Sequence, residues 1–203
     1  MLDSAFSAPR LARGIPRLPR DAGSALIVVT ALVVLGFLLV EARRAARHER
    51  GRFARGGVEP TGDVYAMMRV AYPGALLAML AEGILRQPPA PLVLASGAAL
   101  FAAAKALKWW AILSLGSAWT FRVIVIPGQA LVESGPYRYL RHPNYVAVAG
   151  EFLALALLTG ARVTGPIATA AFGALMLRRI AVENRALDAI LRRGDLESKN
   201  VRI

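Results

Sequence analysis

Five apolar runs, separated by polar and turn-forming stretches, dominate the chain. Ala22 to Val40 carries no charged residue. It is about long enough to cross a bilayer core of roughly 30 Å. A secretory signal peptide would need a small-residue cleavage site after the run, and Glu41-Ala42-Arg43-Arg44 follows instead. Val64 to Ile84 is the second run, with Pro73-Gly74 predicting a kink. Arg86-Gln87-Pro88-Pro89 is a tight connection to the third, Pro91 to about Leu115. Lys105 and Lys108 lie near its far end beside Trp109 and Trp110, the pattern of an interface belt whose lysines snorkel to the headgroups. Pro143–Gly160 and Val163–Leu177 are short for spans and are joined by Gly160-Ala161-Arg162. They read as a tight helical hairpin. The expected fold is an all-α polytopic membrane protein of about five transmembrane helices, ending in that hairpin.

Between the runs the chain is arginine-rich. Arg43 to Asp63 holds Arg43, Arg44, Arg47, Arg50, Arg52 and Arg55, then Gly56-Gly57 and Pro60. Its first half can continue a helix and its second half reads as loop. Gly116 to His142 is polar and turn-rich, and the tail from Arg178 is charged and amphipathic. Residues 1–21 therefore form a basic N-terminal segment, 22–115 three membrane helices with an arginine-rich loop, and 116–203 a C-terminal region where polar chemistry collects.

Composition supports this and removes other classes. Of 203 residues, 56% are hydrophobic and 19% charged, too apolar for a disordered chain. There is no cysteine, hence no disulfide scaffold, and two histidines alone make no zinc site. Lys plus Arg is 25 and Asp plus Glu is 13, a net charge of 25 − 13 = +12. Such a charge suits nucleic acid. Here the arginines flank apolar runs, so the expected partner is membrane lipid and not nucleic acid. With the N-terminus outside, the first loop, the 116–142 loop and the basic tail all fall on the inner side. Arg10, Arg13, Arg17, Arg20, Arg86 and Arg162 fall outside, and the first four weaken the bias. The sequence does not fix an oligomeric state.

Two polar patches lie at the same end of the hairpin. One runs from Gln129 to Tyr145, through Gly135-Pro136-Tyr137-Arg138-Tyr139-Leu140-Arg141-His142-Pro143-Asn144. Gly135-Pro136 signals a turn. Pro143 turns His142 away from helix and starts the next helix, whose N-terminus suits a carboxylate or phosphate. A membrane-interface loop facing headgroups is the simpler reading. The other patch holds Arg179 and Glu183, spaced i, i+4 on one helix face. They form either a structural ion pair or a site where Arg179 grips a carboxylate in a bidentate fork. Glu151, inside an apolar run, is either a functional residue or a partner for Arg178 or Arg179. Glu82 is expected to reach the interface, and His48 to be solvated.

Gly-Pro-Tyr-Arg-Tyr-Leu-Arg-His-Pro-Asn-Tyr at 135–145, an apolar hairpin, and Arg179-Ile-Ala-Val-Glu183-Asn184 resemble the isoprenylcysteine carboxyl methyltransferase family of integral-membrane enzymes. The resemblance covers about Trp119 to Leu187. It implies S-adenosylmethionine as cofactor, held in an interfacial pocket at the cytoplasmic face. Gln129, Ala130, Leu131, Val132, Tyr137, His142, Pro143, Asn144, Tyr145 and Glu183 would bind it. Arg179 would hold the acceptor carboxylate, with Glu151 the second candidate catalytic residue. The implied acceptor is lipophilic: a prenylated cysteine, another polyisoprenoid acid or a lipidic phenol. For a phenol, Glu151 or Glu183 is the candidate base. Arg122 and Asn184 depart from the family, standing where relatives can have a neutral glutamine and where eukaryotic members often have a second glutamate. Sterol-type NADPH reductases share the Arg-His-Pro-Asn-Tyr signature but place Gly-Glu soon after the tyrosine, where Val146-Ala147 stands here. A non-enzymatic protein binding anionic lipid through its basic loops is the third reading.

Overall fold

The computed structural model describes residues 20–127, 129 and 132–200, with side chains between 22 and 186. Five helices follow one another: α1 (Arg20–Phe53), α2 (Tyr65–Leu85), α3 (Pro91–Leu115), α4 (Pro143–Thr159) and α5 (Thr164–Asn200). A short 3-10 turn, Gly135–Arg138, precedes α4. The protein is an all-α integral membrane protein. Four helices are long and apolar enough to cross a membrane; α4, with 17 residues, is shorter. At 1.5 Å per residue α4 measures about 26 Å, less than a bilayer core.

Two helices outrun their apolar runs. α1 continues through the arginine-rich stretch to Phe53. Ala, Arg and Glu there are good helix formers, and the helix needs no apolar face once it leaves the core. α5 begins where expected but continues past Leu177 to Asn200, so the hairpin has one short arm and one long one. Pro73 lies inside an uninterrupted α2.

Short α4 sits at the centre and touches all four other helices. Small residues let α3 approach it closely. A Cβ added at Gly97 would lie 3.1 Å from Leu157, and one at Gly150 would lie 3.1 Å from Ala104. In a bilayer, where hydrophobic burial does not drive helices together, such close backbone packing is what does. The core joins Val34 of α1, Leu76 and Met79 of α2, Phe152 and Leu155 of α4, and Phe172 of α5. Phe152 and Phe172 stack at 4.9 Å, with Tyr72 edge-on to both at 5.4 Å. Outward-facing Leu32, Val70, Leu77, Leu113, Leu153, Ile167 and Leu177 are exposed, as lipid-facing side chains would be.

The hairpin turn depends on Gly160, whose φ of 67° lies in the left-handed region. Glu82 of α2 reaches across to it. Its carboxylate accepts hydrogen bonds from the backbone N–H groups of Arg162, Val163 and Thr164 and from the Thr164 hydroxyl, capping α5. Glu82, expected to reach the interface, thus also caps a helix. The free N–H groups of a helix start need an acceptor, and Glu82 is within reach.

At the opposite end the long loops hold each other. Val58 and Val125 form an antiparallel bridge. Arg52, buried, donates to the Ile124 carbonyl through Nε and Nη2. Glu49 accepts from the backbone of Phe121 and Arg122, and Asp63 from that of Val123. His48 is half-buried with Nδ1 2.8 Å from the Trp119 carbonyl, which replaces the expectation of a solvated ring. The first loop thus sets more than orientation: it fixes segment 119–125 over the helix ends.

Candidate active site

Pro143 begins α4, and the residue before it, His142, takes φ −133°, ψ 61°, outside the helical region. Among the described residues no side chain caps this helix start. Tyr145 follows in the first turn. The hairpin brings both residues beside Arg179 and Glu183 of α5. The Tyr145 hydroxyl accepts from Arg179 Nε at 3.0 Å and donates to Glu183 Oε2 at 3.1 Å. His142 Nδ1 lies 3.9 Å from the same Glu183 oxygen. The i, i+4 pair expected between Arg179 and Glu183 is therefore mediated by tyrosine.

Arg179 is 6% exposed and gathers four parts of the chain. Besides Tyr145, its Nη2 donates to the Phe121 carbonyl, and Nη1 lies 3.7 Å from Asp63 and 3.8 Å from the Met68 sulfur. Asp63 is itself fixed, accepting from the backbone of Tyr65 and Val123. Two of the five guanidinium N–H donors have oxygen partners at hydrogen-bond distance, which sets its plane. Arg141 and Arg178 are exposed.

Tyr137 stands in the 3-10 turn. Burial first, and then the charge of Glu183, raise its hydroxyl above the ordinary tyrosine range, so it remains a donor. Gly135 opens this turn at φ 62°, and a Cβ there would meet the Ser114 hydroxyl of α3 at 2.0 Å. Asn144 accepts from Trp119 Nε1 at 3.4 Å. Gln129 accepts from Arg52 at 3.2 Å, and Val132 is half-buried. Ala130 and Leu131 lie outside the described residues.

Beside this set is a cavity of about 400 Å³ between α1, α2, α4 and α5. Its walls are mainly apolar and aromatic. Arg179, Tyr145 and Asn144 line it together with Tyr65, Trp119 and Phe121; Glu41, Tyr72 and Lys108 line it as well.

These last residues belong to a buried ionic ring. Lys105 Nζ lies 2.8 Å from both Glu41 and Glu151, and Lys108 Nζ 2.7 Å from Glu41 and 3.2 Å from Glu151. Tyr72 donates to Glu151 at 2.7 Å. Two sequence expectations are corrected here. Lys105 and Lys108 do not snorkel to headgroups, because two carboxylates at hydrogen-bond distance outbid the interface. Glu151 partners these lysines and not Arg178 or Arg179. Asp63, Phe121 and Glu41 were not anticipated at the site. One signal was available: Glu41, Lys105, Lys108 and Glu151 in or at the edge of apolar runs sum to zero charge.

Residues 97–189 match the isoprenylcysteine carboxyl methyltransferase (ICMT) family, a match that starts in α3 and includes the whole hairpin site. By that match, this part of the chain is similar to the ICMT family. An uncharacterized protein of Bacillus subtilis (strain 168), YpbQ, is similar to the chain. The two are 38% identical over 90 residues, which is 44% of this chain and 54% of that protein. The chain thus spans about half the length of that relative. An uncharacterized protein of Haemophilus influenzae is 22% identical over 162 residues, 79% of this chain and 94% of that one. No solved structure matches. The ICMT segment supplies Tyr145, Arg179 and Glu183, whereas Asp63, Glu41 and Tyr72 come from helices or loops before it.

Proposed function

We propose that the protein is an S-adenosylmethionine-dependent O-methyltransferase of the cytoplasmic membrane face, acting on the carboxylate of an isoprenylcysteine-like or other lipid-tailed acceptor. The observation that carries this reading is the convergence of His142, Tyr145, Arg179 and Glu183 beside an apolar cavity. The residues fit the cofactor. His142 Nε2 is buried without a hydrogen-bond partner among the described residues, next to a helix start that none of their side chains caps. A buried polar atom left unpaired costs about 1–3 kcal/mol. A ligand carboxylate there would satisfy both the imidazole and the helix N–H groups. Glu183 meets positive charge. Gln129, Ala130, Leu131, Val132, Tyr137, Pro143, Asn144 and Tyr145 complete the set that would hold the cofactor.

When bound, S-adenosylmethionine supplies an electrophilic methyl group on sulfur. The chain's own task is alignment. Arg179, its plane set by Tyr145 and Phe121, has N–H groups left to hold an acceptor oxygen. A carboxylate is ionised at neutral pH and needs no base. The apolar cavity walls exclude water. Glu151, engaged by two lysines, is assigned to holding the cavity wall. One observation favours a lipidic phenol as the second reading. Tyr145 is hydrogen-bonded to Glu183, so a hydroxyl beside Tyr145 has a carboxylate one hydrogen bond away to take its proton.

Purified protein in detergent should bind S-adenosylhomocysteine by calorimetry. His142→Ala or Glu183→Ala should each weaken that about tenfold, the loss of one charged hydrogen bond. No binding under several lipid conditions would falsify the reading, and saturable NADPH binding would favour the reductase. Incubation with methyl-labelled cofactor and a host lipid extract separates the acceptors. Base-labile label means an ester, base-stable label an ether.

A further inference from the structure

The ionic ring is more than the proposed chemistry uses. It joins α1, α3 and α4 and, through Tyr72, α2. Helices can be joined by apolar packing alone, and buried ion pairs are often no more stabilising than apolar residues of similar volume. The ring's position is the informative fact. Glu41 and Lys108 are 1% and 3% exposed, yet both line the same cavity as Arg179. An otherwise apolar chamber therefore has a polar patch on a second wall.

The hydrogen-bond inventory says what suits that patch. Lys108 has three N–H donors; one is donated to Glu151, and the ammonium also lies 2.7 Å from Glu41 Oε2 as an ion pair. Glu41 Oε1 accepts from Lys105, while Oε2, beside the Lys108 ammonium, is buried without a hydrogen-bond partner among the described residues and keeps its acceptor capacity. One donor and one acceptor side by side match a hydroxyl, which offers both in return. The ring's charges, two Lys and two Glu, sum to zero, so an added ion would leave an unbalanced charge in a low-dielectric site. A purely hydrocarbon tail would leave the patch unsatisfied.

Resting on the methyltransferase reading above, we propose that Glu41 and Lys108 determine acceptor specificity by binding a hydroxyl group that the acceptor carries in addition to the oxygen that is methylated. The part of the acceptor inside the cavity is then a compact, oxygenated head among aromatic side chains, and its lipid tail extends from it.

Two matched pairs of probes test this. One pair is a 4-alkylbenzoic acid and its ring-hydroxylated derivative; the other is a 3-alkylphenol and the corresponding alkyl-1,3-dihydroxybenzene, with equal tails. Affinity is measured for protein saturated with S-adenosylhomocysteine, and methyl transfer is measured separately. In at least one pair the hydroxylated member should bind roughly tenfold more tightly, as one hydrogen bond to a charged group predicts. The double variant Glu41→Gln/Lys108→Met keeps the Lys105–Glu151 pair and ring neutrality. It should reduce the preference to about twofold or less while S-adenosylhomocysteine affinity stays unchanged. Equal affinities in both pairs, no binding by any probe, or a preference that survives the double variant overturns the proposal. A preference in binding without methyl transfer upholds it and counts against the methyltransferase reading. Methyl transfer without a preference does the reverse.

Discussion

Tyr145 governs how Arg179 and Glu183 share the site. Its hydroxyl uses one interaction to fix the guanidinium and another to fix the carboxylate. Tyr145→Phe keeps the ring and deletes both. We expect methyl transfer to fall about tenfold or more, in line with loss of a hydrogen bond to a charged group, while thermal unfolding moves little. Arg179→Lys should be more severe. An ammonium cannot reach Tyr145, Phe121 and an acceptor together, and initial rates should drop at least about a hundredfold. His142, Tyr145, Arg179 and Glu183 were legible in the sequence because the motif is local and the hairpin is short. The other half of the Arg179 environment was not. Phe121 contributes a backbone carbonyl, which any residue could supply. Asp63 arrives from a loop before α2, and only the folded chain brings it near. Lys105 and Lys108 were misread for a related reason. A lysine beside tryptophan looks interfacial unless its carboxylate partners on other helices are known.

At the scale of elements, the apolar runs gave the helix cores and the polar runs concealed the helix ends. α1 and α5 extend into charged sequence, because hydropathy reports where a helix is buried and not where its hydrogen bonds stop. Two turns lend themselves to direct tests. Gly135 combines positive φ with contact against Ser114. Gly135→Ala should displace the turn that carries Tyr137 and lower S-adenosylhomocysteine affinity, measurable by the same calorimetry. Glu82 ties α2 to the start of α5 at the far end. Glu82→Ala removes an acceptor from three backbone N–H groups and should lower the midpoint of thermal unfolding in detergent. Arg86→Ala, touching only the edge of that carboxylate, should do so much less. The bridge between Val58 and Val125 had no signal in the sequence, since a single residue pair has no period to detect.

On the scale of the molecule, both long loops and the hairpin site share one end of the bundle, and the tight connections at 86–90 and 160–163 share the other. By the positive-inside rule, the site end is expected to face the cytoplasm. Because the chain has no cysteine, single introduced thiols report sidedness without background. Arg55→Cys should react with a membrane-impermeant maleimide only in inverted vesicles, and Arg162→Cys only in intact cells. The reverse pattern would refute the assigned orientation. The buried ring also constrains how the protein is made. Glu41 enters the membrane with α1, before either lysine has been synthesised. Once α3 arrives, two lysines face one glutamate, and the excess positive charge remains until α4 delivers Glu151. α1, α3 and α4 therefore each hold a charge that they cannot satisfy alone, and the ring becomes neutral only when the central helix is in place. A chain that stops short of α4 leaves its two lysines to share the single carboxylate of Glu41 inside the bilayer.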